Sequence, residues 1–218
     1  MTLAQLLEEF RIRIPLCTST RVSDTILTRW LNEAQGIVCR KTGCLKTKSN
    51  CSTVANQSEY DTPTDILMID PDGGVQYYDT SATEYHKLQA VTMDWLDQHV
   101  DDWRNADAGT PTSYYRRGVV LGVYPKPNTS GDKIYIHYWE DADDMSADGD
   151  IPFNDEPMLS PYHDILLLYA LSKGQETSDE LKNAQYYKEL FDIRVNQMAG
   201  EAVEDYDNQE PIYPYYKR

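Results

Sequence analysis

The fold is decided by a stretch that opens with Gly109-Thr110-Pro111-Thr112-Ser113-Tyr114-Tyr115 and ends at Gly174. It continues as Val119-Val120-Leu121-Gly122-Val123-Tyr124-Pro125-Lys126-Pro127, then Lys133-Ile134-Tyr135-Ile136-His137-Tyr138-Trp139, then an apolar block from Tyr162 to Leu171. Gly and Pro at the breaks, with β-branched and aromatic residues between them, predict short antiparallel strands. Ser160-Pro161 fit the cap and first position of a helix that contains the apolar block. Because that block is apolar on every side, the helix is predicted to be buried on every side.

Further helices are predicted towards both ends of the chain. Residues 2–14 have the apolar spacing of an amphipathic helix. A second helix begins at the N-cap Ser23 and ends at Gly43, and its apolar stripe either packs on the buried helix or binds a partner. The last helix follows the capping-box pattern Thr177-Ser178-Asp179-Glu180 and ends at Gly200.

The middle of the chain has a β pattern. Ser52 to Tyr60 and Ile66 to Ile69 are predicted strands, and Val75 to Tyr78 and Tyr85 to Val91 are further candidates. A short helix capped by Thr92 follows them. The predicted fold class is therefore α+β, a helical bundle of N- and C-terminal helices with an inserted antiparallel β domain and an extended C-terminal arm. The predicted ranges are 1–50 for the N-terminal bundle helices, 51–157 for the β-rich insert, 158–200 for the C-terminal helices and 201–218 for the arm.

The charge of the chain is strongly acidic and unevenly distributed. The 218 residues carry a net charge of −16, and their number suffices for one or two domains. Residues 1–50 hold eight Lys/Arg against four Asp/Glu, while residues 140–218 hold six against nineteen. Acidic surfaces repel phosphate, which argues against sequence-specific nucleic-acid binding. The acidic surface either keeps the protein in solution or lines a channel in which DNA slides without sticking.

The sequence has no apolar stretch of membrane-spanning length, and its N-terminus lacks the basic start and apolar core of a secretion signal. The expected location is a cytoplasm, or a particle that is assembled there.

Residues 140–157 are predicted to form an acidic surface loop. Its candidate functional carboxylates are Asp141, Asp143, Asp144, Asp148 and Asp150. Their order does not follow the EF-hand pattern, so a solvated loop is favoured over a calcium site. A hydrolase that uses these carboxylates is the least favoured interpretation, because no acid or base partner can be identified.

No enzyme, cofactor or metal site is predicted. The common nucleophile, zinc-protease and phosphate-loop motifs are missing, and the four histidines are scattered. His137 lies within a strand and is expected to be a structural or solvent-facing imidazole, while His163 in the first turn of its helix is expected to be neutral. The cysteines form no C-x-x-C pair, which favours reduced, partly buried thiols over a zinc site. They are Cys17, Cys39, Cys44 and Cys51.

The tail differs in kind from the rest of the chain. Pro211 and Pro214 exclude a regular helix near its end. An extended arm rich in tyrosine favours docking into a neighbouring molecule, although the tail could also fold back on its own domain or lack fixed structure. The candidate docking residues are Ile212, Tyr213, Tyr215, Tyr216, Lys217 and Arg218.

Several motifs, in this order, resemble the head–tail adaptor proteins of tailed bacteriophages. They are Tyr60-Asp61-x-Pro63-x-Asp65, Trp103, Gly109-Thr110-Pro111 with Tyr114-Tyr115, Leu121-Gly122-Val123-Tyr124-Pro125-x-Pro127, Tyr138, and a helix with His163, Leu167, Tyr169-Ala170-Leu171 and Lys173. The resemblance covers roughly residues 20–200.

The resemblance implies a structural virion protein of the neck that is assembled in the bacterial host cytoplasm. Such adaptors form a ring, commonly dodecameric, beneath the portal protein, extend the conduit for the genomic DNA and offer a platform to the next tail or nozzle protein. The similarity is to the podovirus type called tail tubular protein A. It also implies that a C-terminal arm docks on the portal, a role that falls by position to residues 212–218. The acidic loop is expected to face the lumen or the tail side, where its charge would keep DNA mobile.

An alternative of a different class is a carbohydrate- or protein-binding β module from another tail component. Trp139 and the clustered tyrosines would serve either function. The arm distinguishes the two, because only an adaptor should lose portal binding when the arm is deleted.

Overall fold

The computed structural model of the chain describes residues 1–15 and 17–207, the last seven by their backbone alone. Its helices are α1 (Leu3–Arg13), α2 (Asp24–Thr42), α3 (Met93–His99), α4 (His163–Thr177) and α5 (Leu181–Asp207), with short 3-10 helices at Phe153–Asp155 and Pro157–Tyr162. Its strands are β1 (Lys46–Ser52), β2 (Glu59–Asp61), β3 (Ile66–Ile69), β4 (Val75–Asp79), β5 (Glu84–Lys87), β6 (Gln89–Ala90), β7 (Ser113–Arg117), β8 (Val120–Tyr124) and β9 (Lys133–Glu140). The fold is α+β, as the sequence predicts.

The chain divides into two compact units. The helical unit consists of residues 1–45 together with the chain from Asp141 onwards, and the β unit is Lys46–Glu140. The sequence placed the two boundaries at 50/51 and 157/158. In the structure, β1 begins the β unit five residues earlier, and the acidic loop belongs to the helical unit because its backbone bonds to α1 and α2.

In the helical unit, α4 packs against α1, α2 and α5, which confirms the predicted buried helix. The N-terminus of α1 has a capping box between Thr2 and Gln5, and Ser23 caps α2 as predicted. Gly43 ends α2 in the left-handed conformation, with φ of 61°, which favours glycine. Gly174 lies within α4 at a close approach, because a Cβ there would lie 2.6 Å from Cζ of Phe10.

Three predicted helix ends differ in the structure. Ser160 and Pro161 lie in the 3-10 helix that precedes α4, so Ser160 is not its cap. Helix α4 continues beyond Gly174 to Thr177, and α5 continues through Gly200 to Asp207. A glycine costs only about 1 kcal/mol inside a helix, so packing and helix formation on both sides override it.

The β unit consists of two sheets. One has the strand order β1-β9-β4-β5, with β3 also paired to β9, and the other has the order β2-β8-β7-β6. All pairs are antiparallel, as predicted, apart from the short parallel pair of β6 with β7. The predicted strand from Ser52 to Tyr60 is wrong, because β1 ends at Ser52 and β2 begins only at Glu59. The polar segment Lys46–Ser52 forms seven register pairs with β9, and tertiary pairing outweighs its weak local strand signal.

The core of the β unit contains side chains from both sheets. The cluster consists of Tyr60, Val75, Tyr77, Leu88, Leu121, Val123, Ile134, Ile136 and Tyr138. Next to it, the buried carboxylate of Asp132 accepts hydrogen bonds from the hydroxyls of Tyr77, Thr80 and Thr129. Burial opposes ionisation of Asp132, but these hydrogen bonds outweigh it and lower the pKa of the carboxyl. The network fastens the start of β9 to the end of β4.

Within the described part of the chain, every helix is too short or too polar to span a bilayer.

Candidate interaction surfaces

Two side-chain amides that sequence reasoning missed hold the acidic loop along α2. Gln35 is 1% exposed; its Nε2 donates to the carbonyl of Asp143 at 2.8 Å, and its Oε1 accepts from the N–H of Phe153 at 2.8 Å. Asn32 bonds both backbone groups of Met145, at 3.0 and 3.1 Å. Each amide thus satisfies backbone groups as a neighbouring strand would. The available sequence signal is a glutamine within an otherwise apolar stripe.

The far end of the loop caps α1. The N–H groups of Leu3 and Ala4 donate to the carbonyls of Asp150 and Asp148 at 2.8 and 3.1 Å, which satisfies donors that a helix leaves unpaired. The carboxylate of Asp150 accepts from the N–H groups of Ser146 and Ala147, and these bonds lower its pKa. The loop is therefore an ordered part of the helical unit.

The five loop carboxylates do not converge on one point. Asp141 pairs with Arg40, at 3.5 Å between Oδ2 and Nη1, and Asp150 is engaged by the loop backbone. Asp143, Asp144 and Asp148 are exposed, and no cation of the described residues lies within 4.0 Å of their carboxylates. Across residues 1–15 and 17–207, no group of three or more His, Cys, Asp or Glu side chains could hold a metal ion. The loop thus presents three unpaired negative charges to solvent.

An open groove of about 620 Å³ runs beside the loop on the outer face of α2. It brings Asp141 and Asp144 together with Arg29, Glu33 and Arg40. The groove has no histidine or cysteine in its lining, and its charges are mixed. This mixture of charges suits polar contacts with another protein surface.

A smaller pocket of about 230 Å³ lies in the β unit, with walls of Trp103, Tyr115 and Tyr124. The Nε1 of Trp103 donates to Oδ1 of Asp97 at 2.7 Å, and Arg104 both pairs with Asp97 at 2.6 Å and stacks 4.4 Å from the indole. These contacts lower the pKa of Asp97. The tryptophan of the predicted motif thus has a structural role, since it is 6% exposed and locked in place.

All four cysteines are free thiols, and Cys17 and Cys39 are buried. The sulfurs of Cys39 and Cys44 lie 4.0 Å apart. His163 is buried, and burial lowers its pKa, which favours the neutral imidazole expected from the sequence. The imidazole of His137 lies at an outward position of β9, paired with Lys48 in the register of β1. No catalytic arrangement forms around either histidine in the described residues.

The candidate docking arm lies outside the described residues. This applies to Ile212, Tyr213, Tyr215, Tyr216, Lys217 and Arg218, whose role stays a prediction.

No curated protein matches the chain in sequence. A sequence model of the SU10 adaptor protein family matches residues 1–213, a range that contains the whole β unit and all but the last five residues of the helical unit. The chain therefore belongs to the SU10 adaptor protein family and is a bacteriophage adaptor protein.

Proposed function

We propose that the chain is a structural protein of the virion neck that forms a ring of twelve copies between the portal protein and the tail. In this role it resembles the podovirus tail tubular protein A type, extends the DNA conduit and provides the platform on which the next tail or nozzle protein assembles. The observation that carries the proposal is the family match from residue 1 to residue 213. Assembly takes place in the cytoplasm of the bacterial host, and the function involves no membrane.

The charge distribution supports ring formation. A cyclic ring closes when each subunit has two different, complementary surfaces. The first fifty residues carry more basic than acidic side chains, whereas residues 140–218 carry nineteen acidic against six basic ones. Both segments belong largely to the helical unit, where Arg40 and Lys41 pair with Asp141 and Asp192. Only the charges that stay exposed can therefore form complementary surfaces for a head-to-tail contact.

The acidic loop fits a position that faces the lumen or the tail side. The exposed carboxylates of Asp143, Asp144 and Asp148 would deny phosphate contacts to the passing genome, so DNA moves without sequence-specific binding. Replacing the three by lysine should slow DNA ejection from particles. Ejection at the wild-type rate, measured by release of a fluorescent DNA dye, would contradict this position.

The C-terminal arm is proposed to dock on the portal. Deleting residues 208–218 should abolish capture of the chain by immobilised portal protein. The full chain and a variant with Tyr186, an exposed residue of α5, replaced by serine serve as controls and should both bind. Undiminished capture of the deletion variant would reject the arm as the docking element.

The proposed role requires no catalytic step. Electron cryo-microscopy of the virion neck tests the whole proposal. Density for a ring of this chain directly beneath the portal is the expected result, and absence of the chain from purified particles would refute it.

A further inference from the structure

The outward face of the larger sheet has a composition unlike the rest of this acidic protein. Side chains of cross-strand partners share a face, so the pairing register assigns the outward positions. They are Lys46, Lys48, Asn50, Ser52, Met68, Gln76, Tyr78, Tyr85, Lys87, Lys133, Tyr135, His137 and Trp139. Four are lysines and none is Asp or Glu. We name this surface the lysine–tyrosine face.

Three of the four lysines of this face, Lys48, Lys87 and Lys133, have no carboxylate within ion-pair distance among the described residues. Lys48 and Lys87 are exposed; Lys87 donates to the carbonyl of Asp72 at 2.8 Å, and Lys133 donates to the hydroxyl of Ser52 at 2.7 Å. No carboxylate of the described residues lies within 4.0 Å of these three ammonium groups. In a chain with a net charge of −16, these three lysines favour contact with a negatively charged partner.

Three tyrosines form an aromatic cluster on the same face. The ring centroids of Tyr78 and Tyr85 lie 4.5 Å apart, and those of Tyr85 and Tyr135 lie 5.7 Å apart. Tyr85 is 60% exposed. Exposed aromatic rings beside cations are typical of protein interfaces, where the rings bury apolar area at low entropic cost.

The helical unit presents an exposed segment with the opposite chemistry at residues 154–158, which we name the acidic knob. Asp155 and Glu156 are exposed, no cation of the described residues lies within 4.0 Å of their carboxylates, and Met158 is 74% exposed. The backbone is held in an unusual shape, with φ of 58°, 56° and 58° at Phe153, Asn154 and Asp155. The N–H of Phe153 donates to the side chain of Gln35, and the N–H of Asp143 donates to Oδ1 of Asn154. These hydrogen bonds preorganise the knob.

We propose that the lysine–tyrosine face of one copy of this chain binds the acidic knob of a second copy. The knob carboxylates pair with Lys48 and Lys87, and Met158 packs on the rings of Tyr85 and Tyr135. The helical unit contains 22 Asp/Glu against 12 Lys/Arg, so its net negative charge disfavours contacts between the helical units of two copies. Because face and knob are different surfaces of one subunit, the contact is head-to-tail, which is the contact type that the proposed ring requires. The inference rests on that proposed assembly and names its interface.

Zero-length cross-linking of amines to carboxylates tests the contact directly. Purified particles, and the purified chain as an equal mixture of isotope-labelled and unlabelled copies, are treated with a carbodiimide and digested. The expected products join Lys48 or Lys87 to Asp155 or Glu156, with mixed labelling that proves a link between copies. If neither sample yields these links, the inference is overturned.

Charge exchange tests the energetics of the contact. The variant Lys48→Glu/Lys87→Glu should weaken self-association in sedimentation experiments by about tenfold or more, since close interfacial charge pairs couple strongly. Asp155→Asn/Glu156→Lys should have the same effect, and its asparagine tolerates the left-handed backbone. Combining both sets in one chain should restore association. Lys182→Glu/Lys188→Glu, which alters exposed lysines of α5, is the matched control and should change association less than twofold.

DNA is the competing occupant of the face. Binding of a labelled DNA duplex that is lost in Lys48→Glu/Lys87→Glu but retained in Lys182→Glu/Lys188→Glu would assign the face to phosphate and overturn the inference. The outcomes also separate this inference from the proposed function. Particles that contain the chain but yield no face-to-knob links refute the interface alone, whereas particles that lack the chain refute the neck assignment.

Discussion

The helical unit and the β unit place polar groups in their interiors in different ways. In the helical unit, the buried amide of Gln35 is neutral and ties two backbone segments that are distant in sequence. In the β unit, the buried group is the charged carboxylate of Asp132, which collects hydroxyl donors from a neighbouring strand and turn. Gln35 joins the two separate segments of the helical unit, residues 1–45 and the chain from 141 onwards. Asp132 stabilises a unit that is continuous in sequence. A buried charge therefore supports the β unit at Asp132, whereas the corresponding buried group of the helical unit is neutral.

The two units can be followed separately during unfolding. Trp95, Trp103 and Trp139 belong to the β unit and Trp30 to the helical unit, so fluorescence reports mainly on the β unit. Far-ultraviolet circular dichroism reports mainly on the four longer helices of the helical unit.

The largest effect is expected for Gly122→Ala in the β unit. A Cβ at this position would lie 2.0 Å from Cζ of Tyr115, a ring that is only 2% exposed and cannot move aside easily. The free energy of unfolding, measured by denaturant with fluorescence detection, should fall by about 3 kcal/mol. Gly149→Ala, where no atom lies within 4 Å, is the control and should leave stability nearly unchanged.

The helical unit has a corresponding glycine at a close approach, Gly174. Gly174→Ala places a Cβ 2.6 Å from Cζ of Phe10, a milder clash, so the loss should be about 1–2 kcal/mol and should be detected by circular dichroism. Equal losses by both probes for both variants would show that the two units unfold as one.

Asp132→Asn should destabilise the β unit by about 2–3 kcal/mol at neutral pH, because hydrogen bonds to a buried charge become weaker neutral ones. The pKa of this carboxyl is lower in the folded chain than its ordinary value of 3.8. Its contribution is thus complete above pH 4 and is lost as the pH falls below 3.8 through the lower folded value. Fluorescence-detected unfolding of the wild type should lose more stability below pH 4 than that of Asp132→Asn. Parallel pH curves would contradict the assignment.

Gln35→Leu should cost the helical unit about 2 kcal/mol, since the carbonyl of Asp143 and the N–H of Phe153 lose their partners. Hydrogen exchange at Phe153 should become faster than in the wild type at the same pH. The loss of stability should be the same below pH 4 as at neutral pH, because the amide of Gln35 does not titrate. Gln185→Leu, at an exposed position of α5, is the control. Unchanged exchange at Phe153 would show that the amide does not hold the loop.

The smallest effect is expected for the exposed loop carboxylates. Asp143→Asn, Asp144→Asn and Asp148→Asn together should change stability by less than about 0.5 kcal/mol, because exposed charges without partners contribute little. A larger loss of stability in thermal unfolding would mean that these side chains support the loop structure. An effect of their substitution on DNA ejection could then result from a changed loop.

Local sequence patterns predict some elements of this fold correctly and miss others. The caps Thr92 and Ser23, the C-cap Gly43 and the buried α4 follow from local chemistry and periodicity, and the structure confirms them. The prediction of a strand from Ser52 to Tyr60 was wrong. The strand that forms instead, β1, is polar, and its pairing with β9 makes it a strand. The loop aspartates were found as a charge pattern, but the amides that position them were missed because their partners lie more than 100 residues away.

The terminal helices, most strands, the acidic charge and the resemblance to adaptor proteins can be read from the residue pattern, because they depend on spacing along the chain. The place of the acidic loop in the helical unit, and the common face of the lysines of β1, β5 and β9 with a tyrosine cluster, become visible in the folded chain alone. Strand register and long-range hydrogen bonds bring together residues that are far apart in the chain. No local pattern contains that information, because each of these contacts depends on how two distant segments align.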